Sequence, residues 1–296
     1  MRPRDFLELL LLAALWGGSF LFMRIAAPLF GPVPLIELRV GLAAAVLLPL
    51  LAWRGKLGQL RQHAAALVFV GITNSALPFV LYAWAALSVT AGFASIVNAT
   101  APLFAAWVGW VWLKHRLSPG TLVGLLVGVL GVIILVWGKA SFRAGGSGWA
   151  VAACLAATLN YGVAANFTKR YLTGVDPMAI AAGSQFYAAV LLAPFAVWLW
   201  PDVNPGADAW LAVVLLAVGC TSVAYVMYFR LIAHIGPARA IAVTFLIPVF
   251  GMLWGAVFLS EQVTGNMLAG CAVILCGTGL ATGVFRFPAL TRAEKT

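Results

Sequence analysis

The sequence has 296 residues, of which 64% are hydrophobic and 9% are charged, and its mean hydropathy is +1.03. A soluble domain carries about 25% charged residues because its surface faces water, so this composition excludes a soluble globule. The net charge of +10 does not indicate a nucleic-acid partner, because the basic residues lie in clusters between apolar runs, where they are typical of membrane topology signals.

Apolar segments follow one another along the chain, separated by turn-forming residues. A membrane-spanning helix needs about 20 mostly apolar residues, and runs such as the leucines at 9–12 lack the alternation of a membrane β-strand. The sequence therefore predicts an all-α polytopic membrane protein with ten transmembrane helices. The predicted spans are residues 5–25, 32–53, 64–87, 90–113, 119–138, 147–170, 177–200, 208–230, 236–259 and 266–286.

The basic residues are divided unequally between the two sides that ten spans define. Of the 18, fourteen lie on the side of both termini, three lie on the other side and Arg39 lies within a span. Because basic residues favour the cytoplasm, both termini are predicted to be cytoplasmic. The first apolar segment is longer than the core of a signal peptide, so it is interpreted as an uncleaved membrane helix.

The chain contains an internal repeat. With a shift of 146 positions, Pro102 falls on Pro248, and glycines of the fourth and fifth spans align without a gap. The two repeats are predicted to be residues 1–143 and 144–296, with five spans each. Because five is odd, the second copy enters the membrane upside down, and inverted repeats are typical of transporters whose substrate site lies at the repeat interface.

Several motifs resemble those of the EamA family of the drug/metabolite transporter superfamily, and the resemblance covers nearly the whole chain. The motifs are Leu15-Trp16-Gly17-Gly18-Ser19-Phe20 followed by Arg24, then Gly219-Cys220-Thr221-Ser222-Val223-Ala224-Tyr225, Pro248-Val249-Phe250 and Leu259-Ser260-Glu261-Gln262-Val263-Thr264. In length and aromatic content the chain is also similar to the bacterial YddG-type amino-acid exporters.

This resemblance implies a bacterial inner-membrane carrier with ten helices, which exports small metabolites by alternating access. It also implies a cavity lined by spans 1, 3, 4, 6, 8 and 9. One position departs from the family pattern, which tends to have Glu in both repeats: His115 of the first repeat corresponds to Glu261 of the second.

Polar and aromatic residues at membrane depth lie on the same six spans. Such groups are costly in lipid, so they tend to face a cavity or a partner helix. An aromatic, amide-rich lining with hardly any charge suits neutral or zwitterionic molecules with an apolar side group. The candidate substrate-binding residues are Trp16, Ser19, Asn74, Tyr82, Asn98, Asn160, Tyr161, Thr221, Tyr225, Tyr228 and Thr244.

The asparagines Asn74, Asn98 and Asn160 also have a structural interpretation, in which their amides form hydrogen bonds between helices. Both interpretations stay open for each residue, but the six helices together favour a cavity. We therefore predict a carrier of amino acids, including aromatic ones, whose partners are a small-molecule substrate and the lipid bilayer. Efflux of nucleosides, sugars or cationic drugs by the same fold is the alternative.

Pro78, Pro102 and Pro248 lie near the middle of spans 3, 4 and 9. A proline there removes a backbone hydrogen bond and tends to kink the helix. These prolines are therefore candidate hinges of a rocking motion, and a static kink is the alternative.

Arg39 is the one basic residue well inside a predicted span, and Glu37 faces away from it on a helix. Arg39 either binds a substrate carboxylate or pairs with another helix. The second interpretation is favoured because a mid-membrane charge usually needs a protein partner.

The four cysteines lie in apolar stretches without a CxxC motif, so no metal, cofactor or disulfide is predicted.

Gly124-x-x-x-Gly128 and Gly279-x-x-x-Gly283 permit close approach of helices. Contact between spans 5 and 10 of one chain is favoured over contact between protomers, and the protein is predicted to be a monomer or a weak homodimer.

A lipid-modifying enzyme and a lipid scramblase or channel are the other classes considered. An enzyme would need a nucleophile, a metal cluster or paired carboxylates. The eight acidic residues and three histidines are scattered along the sequence, so no catalytic residue is assigned. A channel more often has a filter-like pore loop, and none is evident in the sequence.

Overall fold

The computed structural model describes residues 2–137 and 147–285. Within these ranges every regular element is a helix; eight are long and apolar enough to cross a membrane, and two apolar ones are shorter. The chain is therefore a polytopic membrane protein. The helices are α1 Pro3–Phe30, α2 Pro32–Trp53, α3 Ala64–Ala85, α4 Ala91–Leu113, α5 Pro119–Val136, α6 Ser147–Tyr171, α7 Pro177–Trp198, α8 Ala207–Ile235, and the shorter α9 Val243–Leu259 and α10 Gly265–Ala281. Two short helices, Gly58–Gln62 and Pro237–Ala240, precede α3 and α9.

The predicted spans match most of these boundaries, but two helices are longer than expected. α1 continues to Phe30 and α8 to Ile235, about one turn beyond the apolar run in each case. Arg230, which suggested the end of a span, lies within α8, and its Nη2 is 3.3 Å from Oε1 of Glu8 on α1. A paired charge is tolerated in a helix, so the apolar run alone underestimates the length.

The predicted repeat boundary between 143 and 144 lies outside the described residues, as do the basic residues Lys139, Arg143, Arg286, Arg292 and Lys295.

Two Gly-Pro pairs make very short connections. Gly31 ends α1 with φ +78° and Pro32 begins α2. Gly236 ends α8 with φ +81° and Pro237 begins the next short helix. Glycine adopts a positive φ at low cost, and proline suits the first helical position because its missing N–H has no intrahelical acceptor there. A single residue therefore joins α1 to α2.

α3 and α8 each contain a π-helical segment, at Gly71–Ala76 and Leu215–Val223. In α8 the hydroxyl of Thr221 donates to the carbonyl of Leu216 at 2.9 Å, which is the five-residue spacing of the π register. Such segments are frequent at functional sites. Both carry predicted site residues, Asn74 in α3 and Thr221 in α8.

Several of the main helix contacts are related by a shift of five helices along the chain. α1 packs on α9 and α6 packs on α4, while α3 packs on α6 and α8 packs on α1. The pairs α2 with α7 and α5 with α10 map onto themselves. The two halves of the chain therefore contribute matching contacts to the bundle.

α5 and α10 approach each other to backbone contact. A Cβ added at Gly124 would lie 2.5 Å from the backbone nitrogen of Ala281, and one at Gly277 would approach α5 equally closely. The expected contact between these two helices is confirmed. The prediction is wrong for Gly279, because a Cβ there would meet the ring of Phe285, which follows the end of α10.

The outer face of α5 is apolar and exposed, with Leu122, Leu126, Val129 and Leu130 on the surface. A continuous apolar surface of this kind is rare on a soluble monomer. In a membrane protein it is the face that meets lipid.

Candidate substrate-binding site

Two tyrosines singled out by the sequence lie against each other inside the bundle. The rings of Tyr82 on α3 and Tyr161 on α6 are stacked, with centroids 6.3 Å apart and planes 23° apart. Phe20 of α1 meets Tyr82 edge-on at 5.3 Å. The hydroxyl of Tyr82 is buried and has no hydrogen-bond partner among the described residues. Leaving such a group unpaired costs about 1–3 kcal/mol, so a ligand that supplied a partner would be stabilised there.

α3 and α8 are joined by a hydrogen bond between two predicted residues. The amide of Asn74 donates to the hydroxyl of Tyr225 at 3.3 Å. The ring of Tyr225 stacks on Phe229 with centroids 6.0 Å apart. Asn74 therefore has the interhelical contact that its structural interpretation required, and it also lies beside the aromatic residues of α8.

α1 and α8 bring a second pair of predicted residues together. The rings of Trp16 and Tyr228 are 5.1 Å apart and tilted by 55°. Tyr228 in turn meets Phe229 at 5.9 Å. The predicted residues Trp16, Tyr228 and Tyr225 are thus connected by ring contacts through Phe229.

Arg39 of α2 reaches the same region and is 5% exposed. Its Nε donates to the hydroxyl of Thr221 at 3.0 Å, and its guanidinium carbon lies 3.6 Å from the centroid of the Phe79 ring. A weak contact joins its Nη1 to the sulfur of Met23 at 3.7 Å. Arg39 contacts three other helices, as its structural interpretation predicted, but the partners are a hydroxyl, a ring and a sulfur rather than an acid.

The contact of Arg39 has a neutral counterpart in the other half of the chain. Gln185 of α7 lies 146 positions after Arg39, and Thr221 lies 146 positions after Ser75. The amide of Gln185 donates to the hydroxyl of Ser75 at 2.8 Å. Two related helix contacts therefore use the same geometry, one with a charged donor and one with a neutral donor.

The other predicted residues are placed less centrally by their contacts. Asn160 donates to the carbonyl of Ala156 in its own helix, and Thr244 donates to that of Ile241 in the turn just before α9, so both bonds are local. Asn98 has no side-chain hydrogen bond to another described residue and is half-buried. Ser19 is buried within α1.

The candidate hinge prolines occupy two kinds of position. Pro102 lies in the first turn of Ala101–Leu113, after a break in α4 at residues 99–100, and Pro78 lies in the first turn after the π-helical segment of α3. Pro248 lies inside α9. Pro102 therefore lies where the helix restarts, whereas Pro248 lies within a continuous helix.

Sequence reasoning missed Phe20, Met23 and Phe79, which surround the tyrosines and Arg39. They look like ordinary apolar core residues in the sequence. Their spacing carried a usable signal, because Phe79 lies three residues before Tyr82 and therefore shares its helix face.

Glu261, just after the end of α9, forms a hydrogen-bonded contact with the start of α4. Both of its carboxylate oxygens accept from the backbone N–H of Ala91, at 3.1 and 3.0 Å, and Oε1 lies 3.7 Å from Nε of Arg24. Arg24 also donates to the carbonyl of Ala86. A carboxylate at a helix N-terminus is favourable because it satisfies a free N–H and meets the positive end of the helix dipole.

Comparison with known proteins gives matches over nearly the whole chain. The probable terminal-alkyne amino-acid exporter of Streptantibioticus cattleyicolor is 26% identical, over 92% of this chain and 91% of the relative. The probable amino-acid metabolite efflux pump of Salmonella typhimurium is 26% identical over 97% of both chains. The uncharacterized inner membrane transporter YedA of Escherichia coli is 26% identical, over 93% of this chain and 90% of the relative.

One solved crystal structure covers 100% of both chains with a TM-score of 0.66 at 22% sequence identity, so the fold is shared. The model of the EamA-like transporter family matches twice, at residues 6–137 and 148–283. These two matches account for most of the sequence and favour a transporter over the enzyme considered above. The chain belongs to the EamA-like transporter family.

Proposed function

We propose that this protein is a carrier of the bacterial inner membrane that exports amino acids, including aromatic ones. In this proposal the substrate binds between two inverted five-helix repeats, residues 1–143 and 144–296, and is released by alternating access. The partners are the small-molecule substrate and the lipid bilayer, and the carrier works as a monomer or a weak homodimer.

The observation that carries the proposal is the convergence of polar and aromatic side chains inside an apolar bundle. We call the group Arg39, Phe79, Tyr82, Tyr161, Thr221 and Tyr225 the central cluster; its members come from α2, α3, α6 and α8. Polar groups at membrane depth are expensive and commonly mark substrate pathways. Stacked rings suit a flat apolar side group, while hydroxyls and amides suit amino and carboxylate groups.

Matching irregularities support the inverted repeat. The π-helical segments fall in α3 and α8, and Lys114 and Ser260 end α4 and α9 with φ values of 56° and 53°. The related helix contacts and the two family matches agree with this relationship. A repeat of five helices reverses orientation in the membrane, and the substrate site of such carriers lies at the repeat interface.

The names of two relatives support the substrate class, since one is a probable amino-acid exporter and the other a probable amino-acid metabolite efflux pump. The name of YedA supports an inner-membrane location. The excess of basic residues on the side of the termini supports a cytoplasmic position for both.

The test is counterflow in proteoliposomes, with unlabelled amino acid inside and a panel of labelled amino acids outside. Saturable accumulation of an amino acid is expected. Tyr161→Ala should reduce it strongly, whereas Trp53→Ala, an 88% exposed aromatic residue at the end of α2, should leave it unchanged. Linear conductance without counterflow would indicate a channel, and lipid flipping would indicate a scramblase. Counterflow of nucleosides, sugars or cationic drugs alone would overturn the substrate class.

A further inference from the structure

Arg39 brings a positive charge into the bundle without a protein carboxylate to neutralise it. None of the ion pairs among the described residues includes Arg39, although the side chain is 5% exposed. An unpaired buried charge is strongly unfavourable. The hydroxyl of Thr221 and the face of Phe79 offset only part of that cost.

The helix contact made by Arg39 does not require its charge. Gln185, at the related position of α7, makes the same kind of contact with Ser75 and is neutral. A neutral amide would therefore hold α2 to α8 as well as it holds α7 to α3. Helix packing therefore does not explain why a charged residue occupies position 39.

One nitrogen of the guanidinium has no protein acceptor in the part of the chain that the structure describes. Among the described residues none accepts a hydrogen bond from Nη2, because Nε is used by Thr221 and Nη1 meets only the sulfur of Met23. The unpaired hydroxyl of Tyr82 is a second unused donor, on the same face of α3 as Phe79. Arginine binds carboxylates through planar pairs of N–H groups, so this arrangement fits a small carboxylate.

A single free cation fits an anionic group with one negative charge. Arg24, the arginine that precedes Arg39 in the sequence, is already paired with Glu261. A phosphate carries more charge and would need further cations, which the central cluster does not contain. The geometry therefore favours a carboxylate over a phosphate.

We propose that Arg39 binds the carboxylate of the transported molecule and so restricts the carrier to substrates that contain this group. The inference rests on the proposed function, because it names the recognition element of the same site. It excludes nucleosides, uncharged sugars and cationic drugs as substrates, because none of them carries a carboxylate to pair with Arg39.

The test compares phenylalanine with phenylalaninamide, which have the same side group but differ in the carboxylate. Binding to the purified full chain is measured by ligand-induced thermal stabilisation, and exchange is measured by counterflow. The wild type should bind the acid about 30-fold or more tightly than the amide, since removing one partner of a buried charge pair has an effect of that size. Equal affinity of the wild type for both ligands would overturn the proposal without any variant.

The informative substitution is Arg39→Gln, which installs the residue found at the related position of α7. It should lower affinity for the acid about 30-fold or more while leaving affinity for the amide nearly unchanged. Arg39→Lys keeps the charge but loses the planar pair of donors. Its affinity for the acid should lie between those of the wild type and Arg39→Gln. Arg54→Gln, an exposed arginine just beyond the end of the same helix, is the matched control and should bind like the wild type.

The outcomes separate this inference from the proposed function. If Arg39→Gln exchanges phenylalanine like the wild type, the proposed role of Arg39 in binding the carboxylate is wrong, but the protein is still an amino-acid carrier. If the wild type exchanges phenylpropionate but no amino acid, and Arg39→Gln exchanges neither, the carboxylate role stands and the amino-acid assignment falls. If the wild type exchanges only solutes without a carboxylate, both fall.

Discussion

The carboxylate of Glu261 accepts the backbone N–H of Ala91 with both oxygens, at 3.1 and 3.0 Å. This contact ties the residues after α9 to the first residue of α4. The position related to Ala91 by the repeat is Pro237, which has no N–H. His115, the repeat-related counterpart of Glu261, therefore has no equivalent backbone donor at position 237.

Glu261→Gln should lower the free energy of unfolding by about 1 kcal/mol, because it removes the charge that faces Arg24 and the N-terminus of α4. Glu261→Ala should cost more, since it leaves the N–H of Ala91 without an acceptor. Thermal unfolding in detergent measures both. His115→Ala is the repeat-related control and should have little effect; an equal loss from His115→Ala would contradict this role for Glu261.

Tyr82→Phe should separate stability from binding. The hydroxyl has no protein partner among the described residues, so its removal should leave the melting temperature unchanged or raise it. If the hydroxyl contacts the substrate, affinity for a transported amino acid should fall by roughly tenfold. Tyr225→Phe is the contrast, because it removes the hydrogen bond to Asn74 and should lower stability. Unchanged affinity in Tyr82→Phe would remove that hydroxyl from the site.

Pro102→Ala tests the hinge. Alanine supplies an N–H that can bond to the carbonyl of Asn98, so the helix can continue through the break at residues 99–100. We expect slower counterflow with unchanged binding, and the same for Pro248→Ala. Pro119→Ala, at the start of α5, is the control. Rates like the wild type in both hinge variants would show that the prolines are static.

Gly124→Ala should destabilise the fold through the contact of α5 with α10. The added methyl group would lie 2.5 Å from the backbone nitrogen of Ala281, and overpacking of this kind typically costs about 1–3 kcal/mol. Gly265→Ala adds the same group where no atom lies within 4 Å and serves as the control. Equal melting temperatures for the two variants would show that α5 and α10 separate easily.

Hydropathy was sufficient to predict the helices, because a membrane span must be long and apolar wherever it lies. It was insufficient at Arg230, where a partner on another helix, Glu8, keeps a charge inside the helix. The break before Pro102 and the π-helical segments depend on hydrogen bonds that no periodicity reveals. The carbonyl of Ala99, for example, accepts from the hydroxyl of Thr278 on α10.

The candidate site was predictable in part, for a similar reason. Tyr82 and Tyr161 stand out because aromatic hydroxyls are rare at membrane depth, and the structure brings their rings together. Phe79 is marked in the sequence only by its spacing from Tyr82, because its role depends on its position over Arg39. Asn166 was not singled out either, yet its amide donates to the carbonyl of Ala105 on α4. Such long-range pairings are not visible in one sequence.

The one-residue link at Gly31 keeps the C-terminal end of α1 beside the N-terminal end of α2. A displacement of Phe30 passes directly to Pro32, and Arg39 sits about two turns further along α2. A swing of α1 would therefore drag the guanidinium with it. Opening of the bundle by α1 and weaker binding of an anion at Arg39 would then occur in the same movement.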